Sequence, residues 1–490
     1  MSKTELKPSR LFEIFEEICQ VPRPSKHEEK ISAFLADYGR KLGLTTKVDE
    51  VGNVAISVPA TPGMENRKAI ILQAHMDMVC EANRGVAHDF MKDPIETWID
   101  GEWLRAKGTT LGADDGIGVA AALAVLTDKS LKHGPVQAVF TVDEETGLTG
   151  AEAMKSGFME GDILLNLDSE DEGEMFIGCA GGCRTDARFE FDWVKVPDDK
   201  FFFSLTVDKL LGGHSGDDIN KGHANANKVL NRLLCRLNEK FGIQLCHIEG
   251  GNKHNAIPRE AYAVCAVDKK HKEALAVEVN VFAAEVQAEF AAVEKTLNVT
   301  LASADAQEMC IDDDTTHRFL LACYGVFNGV FAMNFDVPGL VETSSNLASI
   351  RIEEGESPYQ GCIHIVLSQL SSTMSGRHDV THAVCAVFTL AGAKTETGEG
   401  YPGWKPNADS EILKVAVNTY KDLFGKEPKV KAIHAGLECG LFVEKYPGLD
   451  MISFGPTLRG VHSPDERLLI PTADLFWRHL VAILENAPEK

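Results

Sequence analysis

Five segments of the chain share a pattern in which an apolar run ends on carboxylate or imidazole side chains. They are AIILQAHMD (69–77), TTLGADDGIG (109–118), VQAVFTVDEETG (136–147), DILLNLDSED (162–171) and ISFGPTLRGVHSPDE (452–466). Short apolar runs rich in Val, Ile, Leu and Phe predict buried strands. Since the carboxyl ends of parallel strands meet at one edge of a sheet, we expect these polar side chains to gather in one acidic pocket.

Helices and strands alternate between residues 10 and 185. Two strands with alternating apolar residues flank Gly52-Asn53, which predicts a two-residue hairpin turn. An Ala-rich apolar helix after Asp115 is predicted to pack against the sheet. The whole pattern predicts an α/β fold in which helices flank a mixed, mostly parallel sheet.

The pattern changes at residue 184, where residues begin to alternate as in antiparallel strands. We interpret residues 186–398 as an inserted α+β domain with an antiparallel sheet. Residues 1–185 and 399–490 then form the two parts of the first domain. Two strand-rich halves favour a duplication inside the insertion, although no residue-level repeat proves it.

The net charge of the chain limits the kinds of molecule that it is expected to bind. The chain has 490 residues and a formal net charge of -24. Nucleic acid is excluded as a partner because phosphate binding needs clustered Lys and Arg. The negative charge suits small substrates with a cationic end, and a simple gain in solubility explains it equally well.

Cysteine usage and the apolar segments indicate a cytoplasmic protein. The twelve Cys show neither a Cys-x-x-Cys pair nor the density of a disulfide scaffold, and CAGGC (179–183) is interpreted as buried thiols. The N-terminus lacks the apolar core of a signal peptide. GVAAALAVL (118–126) is too short to span a bilayer, so no membrane association is expected.

The polar ends of the first two segments contain candidate metal ligands. His75 and Asp77 alternate at a predicted strand end and point to the same side, so the imidazole can bind a metal ion while the carboxylate orients the ring. Of Asp114 and Asp115, one can cap the Ala-rich helix and the other can bridge two ions. We assign Asp114 to the bridge. A phosphate loop is rejected for this segment because it lacks Lys and two Asp would repel phosphate.

Two adjacent carboxylates follow the strand that begins at residue 136. Because Glu144 and Glu145 point in different directions, one can bind metal and the other can accept a proton, and Glu144 is our candidate for the proton acceptor. A solvated acidic turn that caps a helix is the simpler interpretation of this pair taken alone. Asp168 and His462 close two further segments in the same manner.

The combination of ligand types predicts a two-metal hydrolase. Imidazoles and carboxylates without a required thiolate suit zinc, and they also accept manganese or cobalt. Two such ions about 3.5–4 Å apart hold a hydroxide and the carbonyl oxygen it attacks. Metal binding brings the pKa of water down to about 7, so hydroxide is available at neutral pH.

At these residues the chain resembles the family of di-zinc aminopeptidases, carboxypeptidases and aminoacylases, and within it the dipeptidases. The resemblance extends from end to end of the chain. The motifs that carry it are HMD, LGADDGIG, DEETG, NLDSED, GGHSG (212–216), NAIP (255–258), ETSSNL (342–347), HAGLECG (434–440) and GPTLRGVHSPDE (455–466).

The resemblance implies a complete set of metal ligands and catalytic residues. The ligands are His75 and Asp168 for one ion, Glu145 and His462 for the other, and Asp114 as the bridge. Asp77 would orient His75, and Glu144 would be the general base and acid. The insertion would be a lid, longer than the single-unit form and similar to the duplicated one.

The resemblance also implies that His214 and Asn255 reach the scissile carbonyl from the lid and stabilise the oxyanion. Single-unit lids receive this imidazole from a partner subunit, whereas a duplicated lid could supply it within one chain, so a homodimer stays open. One departure concerns the substrate carboxylate. Relatives tend to have an Arg near residues 366–372, where this chain has Gln369 and Leu370.

We therefore expect a metal-dependent dipeptidase that hydrolyses unblocked dipeptides, with Xaa-His among the candidate substrates. Its partners would be small peptides. An aminoacylase or another amidase on the same two-metal scaffold is an alternative. A non-catalytic metal- or peptide-binding protein is an alternative of another class, but it would have lost a ligand or the base, and all of these residues are present.

Overall fold

A computed structural model describes residues 6–335, 337–355, 357 and 359–490. Its α-helices are α1 (Ser9–Cys19), α2 (Glu29–Lys41), α3 (Ala113–Thr127), α4 (Glu144–Gly147), α5 (Thr149–Ala153), α6 (Ala226–Phe241), α7 (Lys272–Glu289), α8 (Asp313–Gly325), α9 (Met374–Leu390), α10 (Glu411–Phe424), α11 (Glu438–Lys445) and α12 (Ile470–Glu485).

Its strands fall into three sheets. In chain order they are β1 (Thr45–Val48), β2 (Val54–Val58), β3 (Ile70–His75), β4 (Thr97–Asp100), β5 (Trp103–Ala106), β6 (Val136–Thr141), β7 (Ile163–Asn166), β8 (Glu174–Cys179), β9 (Gly181–Lys195), β10 (Lys200–Asp208), β11 (Gln244–Gly250), β12 (Ala261–Asp268), β13 (Asn298–Ser303), β14 (Met309–Ile311), β15 (Gly329–Met333), β16 (Val341–Glu354), β17 (Gln360–Ser371), β18 (Lys394–Thr397), β19 (Lys429–Ile433), β20 (Asp450–Ser453), β21 (Leu458–Arg459) and β22 (Arg467–Leu469).

The apolar runs of the first domain form an eight-stranded sheet in the order β1-β2-β6-β3-β7-β20-β8-β19. The four central strands, β6, β3, β7 and β20, are parallel to one another. β2 is antiparallel to β6, and β8 is antiparallel to β20. The predicted mixed sheet is confirmed, with its parallel part at the centre and antiparallel pairs on both sides.

The connection between β1 and β2 is longer than the predicted two-residue turn. It comprises residues 49–53. Within it, the carboxylate of Asp49 accepts hydrogen bonds from the backbone amides of Val51, Gly52 and Asn53 at 3.1, 3.0 and 2.9 Å. One side chain therefore closes the turn that Gly52-Asn53 was expected to form alone.

The Ala-rich helix α3 is buried along nearly its whole length, as predicted. It packs against β3 and against α1. Ala120, Ala121 and Ala122 expose none of their surface, and Leu123 is equally buried. Because its side chains are small on all sides, α3 can pack closely against the elements that enclose it. This packing fixes the position of its N-terminal residues, which include Asp114 and Asp115.

The strands β9 to β18, between residues 181 and 397, build a separate ten-stranded sheet. Its main path is β13-β10-β12-β11-β16-β17-β9-β14, with β15 paired to β16 and β18 paired to β9. The pairings are antiparallel, as expected for the insertion. Apolar residues of α6, α7, α8 and α9 form one hydrophobic core with the strands. The duplication inside this region stays a prediction.

The chain divides into two compact units. The first contains the described residues up to Cys179 together with Trp404–Ala432 and Leu437–Lys490. The second contains the described residues of Ala180–Gly403 together with Ile433–Gly436. Within the part of the chain that the structure describes, no helix has both the length and the apolarity to cross a membrane.

Candidate metal centre

Three of the five predicted ligands follow adjacent parallel strands, whereas Asp114 lies in α3 and His462 lies in the loop between β21 and β22. His75 is the last residue of β3, and Asp168 lies two residues beyond β7. Glu145 belongs to α4, which begins shortly after β6. Since β6, β3 and β7 are neighbours in the sheet, their carboxyl ends bring these three side chains to one edge, as the sequence predicts.

Asp114 lies between the two imidazoles. Its Oδ1 atom is 3.0 Å from Nε2 of His75, and its Oδ2 atom is 3.1 Å from Nε2 of His462. Nε2 of His75 is also 3.4 Å from Oδ1 of Asp168. Nε2 of His462 is 2.9 Å from Oε2 of Glu145. The five predicted ligands thus form two triads that share the carboxylate of Asp114.

Asp77 lies behind this group and is fully buried. Its Oδ1 atom is 3.3 Å from Nδ1 of His75. The same carboxylate accepts hydrogen bonds from Oγ of Ser25 at 2.8 Å and from the amides of Glu144 and Glu145 at 3.1 and 3.3 Å. Asp77 therefore contacts the ring of one candidate ligand and fixes the backbone of the turn that carries another.

Burial and proximity shift the pKa values of the site strongly. Burial raises the pKa of Asp168 to about 6, and it raises the pKa of the Glu144 carboxyl well above its usual value. Burial also acts to raise the pKa of Asp114, but hydrogen bonds from His462 and His75 outweigh it and leave that pKa well below the usual range. Hydrogen bonds to Asp114 and Glu145 raise the pKa of His462 to about 11.

These residues fit divalent cations. Ligand atoms of His75, Asp114 and Glu145 all lie within 4.8 Å of one another. Oε1 of Glu145 is buried and finds no hydrogen-bond partner among the described residues. Imidazole nitrogens and carboxylate oxygens are ligands that zinc, manganese and cobalt accept, and here both kinds of atom face the same space. Bound cations would occupy the imidazole nitrogens and carboxylate oxygens in place of protons.

The second unit contains the other two predicted site residues, His214 and Asn255. They are neighbours, because the amide of Ser215 donates to the carbonyl oxygen of Asn255 at 2.9 Å. Nδ1 of His214 accepts hydrogen bonds from the amides of Gly216 and Asp217 at 3.1 and 3.3 Å. Since Nδ1 is an acceptor, the proton of the neutral ring is on Nε2, which is then a hydrogen-bond donor.

His214 and Asn255 line a cavity of about 240 Å³ within the second unit. Arg184 and His254 also line it, and the lining contains no carboxylate. Arg184 is held by Asp186, to which its Nε and Nη2 atoms donate at 2.8 and 2.6 Å. Among the lining residues, Arg184 is the cationic side chain.

The segment near residues 366–372, where the resemblance leads us to expect an Arg, lies largely in β17, which pairs with β9. Gln369 of β17 is fully buried and lies opposite Cys183, while Ser368 lies opposite Arg184. Arg377 is also buried, and its Nη1 atom donates to the carbonyl oxygens of Gly182 and Tyr401. Arg184 therefore supplies the guanidinium nearest in register to the position where the resemblance expects one.

Comparison with known proteins decides the family. The model of peptidase family M20/M25/M40 matches residues 71–486. The chain belongs to this family. The resemblance recognised from the motifs is thereby confirmed, and with it the fold class.

Two relatives are similar to this M20 peptidase over their full lengths. The cytosol non-specific dipeptidase of Escherichia coli (strain K12) is 41% identical over 487 residues, which are 99% of each chain. The aminoacylhistidine dipeptidase of Vibrio alginolyticus has a crystal structure with a TM-score of 0.91 and 42% identity, covering 100% of this chain and 99% of that one. Close homologues of this member of a metal-dependent family are thus dipeptidases.

A more distant structure shares the fold alone. The aminopeptidase PepT of Bacillus cereus has a TM-score of 0.56 and 17% identity, covering 98% of this chain and 99% of that chain.

Glu466 of the M20 peptidase is a site residue that the sequence motifs did not single out. Its Oε2 atom accepts hydrogen bonds from the amides of Leu111 and Gly112 at 2.8 and 2.9 Å. Its Oε1 atom accepts from the amides of Ala113 and Asp114 at 2.8 and 3.2 Å. Burial raises the pKa of Glu466 to about 7, although these hydrogen bonds oppose the shift. One carboxylate therefore binds every backbone amide from residue 111 to residue 114.

The other member of the acidic pair, Asp115, caps the helix. Its Oδ1 atom accepts a hydrogen bond from the amide of Gly118 at 3.1 Å. Asp115 thus caps the helix, and Asp114 is directed toward the imidazoles, which are the two positions that the sequence predicts for this pair.

A second missed residue is Glu438, the first residue of α11. Its Oε2 atom accepts hydrogen bonds from Nε2 of Gln73 at 2.6 Å and from Oγ1 of Thr141 at 2.9 Å. Gln73 in turn accepts from Nδ2 of Asn166 at 2.6 Å. Gln73 precedes His75 by two residues within β3, so both side chains lie on the same face of that strand. The buried polar chain therefore adjoins the strand that ends at a candidate ligand.

Proposed function

We propose that this protein is a cytoplasmic dipeptidase that hydrolyses unblocked dipeptides with two divalent metal ions, zinc being the first choice. The observation that carries the proposal is the position of Asp114, whose two oxygens face two imidazoles at 3.0 and 3.1 Å. A carboxylate in this position suits a bridge between two ions. The alternatives with manganese or cobalt use the same ligands.

Each ion would have its own pair of ligands in addition to Asp114. His75 and Asp168 would hold one ion, and His462 and Glu145 would hold the other. Asp77 would keep Nδ1 of His75 protonated, so that Nε2 is free to bind. When bound, the two ions would polarise the scissile carbonyl and provide a nucleophilic water at neutral pH.

Glu144 would carry the proton. The backbone of Glu144 is held by the hydrogen bond from its amide to Asp77, and burial raises the pKa of its carboxyl group well above the usual value, as suits a general base and acid. It would accept a proton from the attacking water and deliver it to the nitrogen of the scissile bond. The carbon–nitrogen bond then breaks, and a free amine and a carboxylate leave.

His214, Asn255 and Arg184 would recognise the substrate. Nε2 of His214 is a donor that can stabilise the oxyanion, and the amide group of Asn255 can add a second hydrogen bond. Arg184 would bind the carboxylate of the dipeptide, because it is a guanidinium in a cavity lined without carboxylates. This assignment predicts substrates with a free carboxyl terminus.

Removal and return of metal tests the proposal. Protein stripped with a chelator should lose hydrolysis of a dipeptide panel that includes Xaa-His, and zinc, manganese or cobalt should restore it. Glu144→Gln should retain two ions and lose at least three orders of magnitude in kcat. The exposed Glu152, in the neighbouring helix α5, offers Glu152→Gln as the control that keeps full activity.

N-acyl amino acids belong in the same panel. Faster turnover of N-acetyl amino acids than of dipeptides would replace the proposal with an aminoacylase. Two bound ions without turnover of either class would favour a non-catalytic protein.

A further inference from the structure

The loop that carries His462 is joined to the segment that carries Asp114 through Glu466. Only 2% of the surface of Glu466 is exposed, and its two oxygens accept four backbone amides between residues 111 and 114. Glu466 follows His462 by four residues. Hydrogen bonds to a buried carboxylate are short and strong, so the two segments are held together at this point.

Apart from the contacts of its Nε2 atom with Asp114 and Glu145, the His462 loop has few strong interactions with the rest of the unit. The side chain of His462 is 52% exposed, and its backbone has a φ of 59°, which is unfavourable for a residue with a Cβ. The hydrogen bonds from Oγ of Ser463 to Gly460 and from the amide of Glu466 to Ser463 are internal to the loop. Arg105 forms a salt bridge with Asp465, but the side chain of Asp465 is largely exposed to solvent, so this salt bridge contributes little to the stability of the loop.

The other half of the site has a different support. His75 is the last residue of a central strand, and Asp168 closely follows the neighbouring strand. The pairing of β3 with β7 fixes both segments without Glu466. A loss of Glu466 would therefore act unequally on the two halves of the site.

We propose that Glu466 is a positioning residue that holds His462 and Asp114 at the separation needed for the ion bound on the His462 side. This inference rests on the proposed two-metal function. It means that one of the two metal sites depends on the buried carboxylate of Glu466.

Glu466→Gln is the first test, because its amide nitrogen cannot accept the two hydrogen bonds that one carboxylate oxygen now accepts. Zinc is titrated into the metal-free full-length protein against a competing chelator, and stoichiometry and both affinities are read without any peptide. We expect the affinity on the His462 side to fall 10- to 100-fold, the range found for residues that orient ligands. The affinity on the His75 side should change less than about threefold.

The two steps of the titration are assigned with ligand variants. His462→Ala removes the step of the His462 side, and Asp168→Asn weakens the step of the other side. In the His462→Ala background, Glu466→Gln should change the remaining zinc affinity by less than about threefold, because its large effect passes through His462. A role in stability alone would not produce this dependence.

Asp49→Asn is the matched control. Asp49 is also a carboxylate of the first unit that accepts several backbone amides, in the β1–β2 turn. Its replacement should lower the melting temperature and leave both zinc affinities unchanged. If Glu466→Gln does not fold, Glu466→Asp retains the charge and is titrated in its place.

Equal weakening of the two sites by the Glu466 variant would overturn the inference, and so would zinc affinities unchanged from those of the wild type. Both results leave the proposed function standing, because the wild-type protein still binds two ions. A wild-type protein that binds fewer than two ions would overturn the inference together with the proposed function.

Discussion

Nδ1 of His75 lies 3.3 Å from Oδ1 of Asp77 in the fully buried layer behind the candidate metal ligands. Burial acts against the Asp77 carboxylate, but contact with the His75 imidazole and further hydrogen bonds keep the pKa of Asp77 below its usual value. Asp77 is therefore ionised at neutral pH, and it fixes which ring nitrogen of His75 is directed toward the metal site.

Asp77→Asn should accordingly damage both metal binding and turnover. The new amide group can still contact the ring, but it cannot accept both amide hydrogen bonds from Glu144 and Glu145. We expect zinc affinity and kcat each to fall by about 10- to 100-fold. Chelator competition and initial rates at saturating zinc measure the two effects separately. Unchanged values for both would mean that Asp77 has no orienting role.

The second unit contributes a test that leaves the metals untouched. The amides of Gly216 and Asp217 donate to Nδ1 of His214, which leaves the ring proton on Nε2. His214→Ala removes this Nε2 donor. Loss of one oxyanion donor costs about 10²- to 10³-fold in kcat, so we expect a fall of that size with two ions still bound. His247→Ala, at a half-exposed histidine of the same unit, is the control. Normal kinetics of the His214 variant would place this ring outside the reaction.

His75, Glu145 and Asp168 were predictable because each follows an apolar run, and these runs form neighbouring strands of the eight-stranded sheet. The same pattern led to Asp114 and His462, but these two do not follow strands of that sheet: Asp114 lies at the start of α3, and His462 lies in the loop between β21 and β22. Glu466 and Glu438 were not predictable in this way, since their partners are backbone amides and side chains about 300 residues or more away in the sequence. One signal was present and not used: Gln73 is a polar residue inside the apolar run AIILQAH, and such a residue must find a buried partner.

Arg184 offers a test of substrate recognition. Its Nε and Nη2 atoms are held by Asp186, and the guanidinium lines the cavity that contains His214. Arg184→Ala should raise the KM for dipeptides with a free carboxylate by at least tenfold and change the KM for the corresponding dipeptide amides little, because only the free acid offers a charge to the guanidinium. Arg188→Ala, on the same face of β9, should leave both values unchanged. Equal loss with acids and amides would contradict the assignment.

His479 predicts a dependence of stability on pH that is independent of catalysis. It is buried in α12, donates from Nε2 to the carbonyl oxygen of Ala416 at 2.9 Å, and packs against the rings of Tyr420 and Phe454. Burial lowers its pKa from 6.5 to about 4. The folded protein therefore keeps this ring neutral over a range in which the unfolded chain takes up a proton.

The free energy of unfolding should consequently fall as the pH decreases from 6.5 toward 4, since the unfolded state binds the extra proton. At about 1.4 kcal/mol per pKa unit, the contribution of His479 between pH 7.5 and pH 5.0 is about 2 kcal/mol. His479→Gln keeps a donor for Ala416 and cannot be protonated, so in urea unfolding of the metal-free protein it should lose about 2 kcal/mol less than the wild type over this interval. His317→Gln, at an exposed histidine of α8, should follow the wild type. If His479→Gln followed the wild type as well, protonation of this buried ring would not be a cause of acid destabilisation.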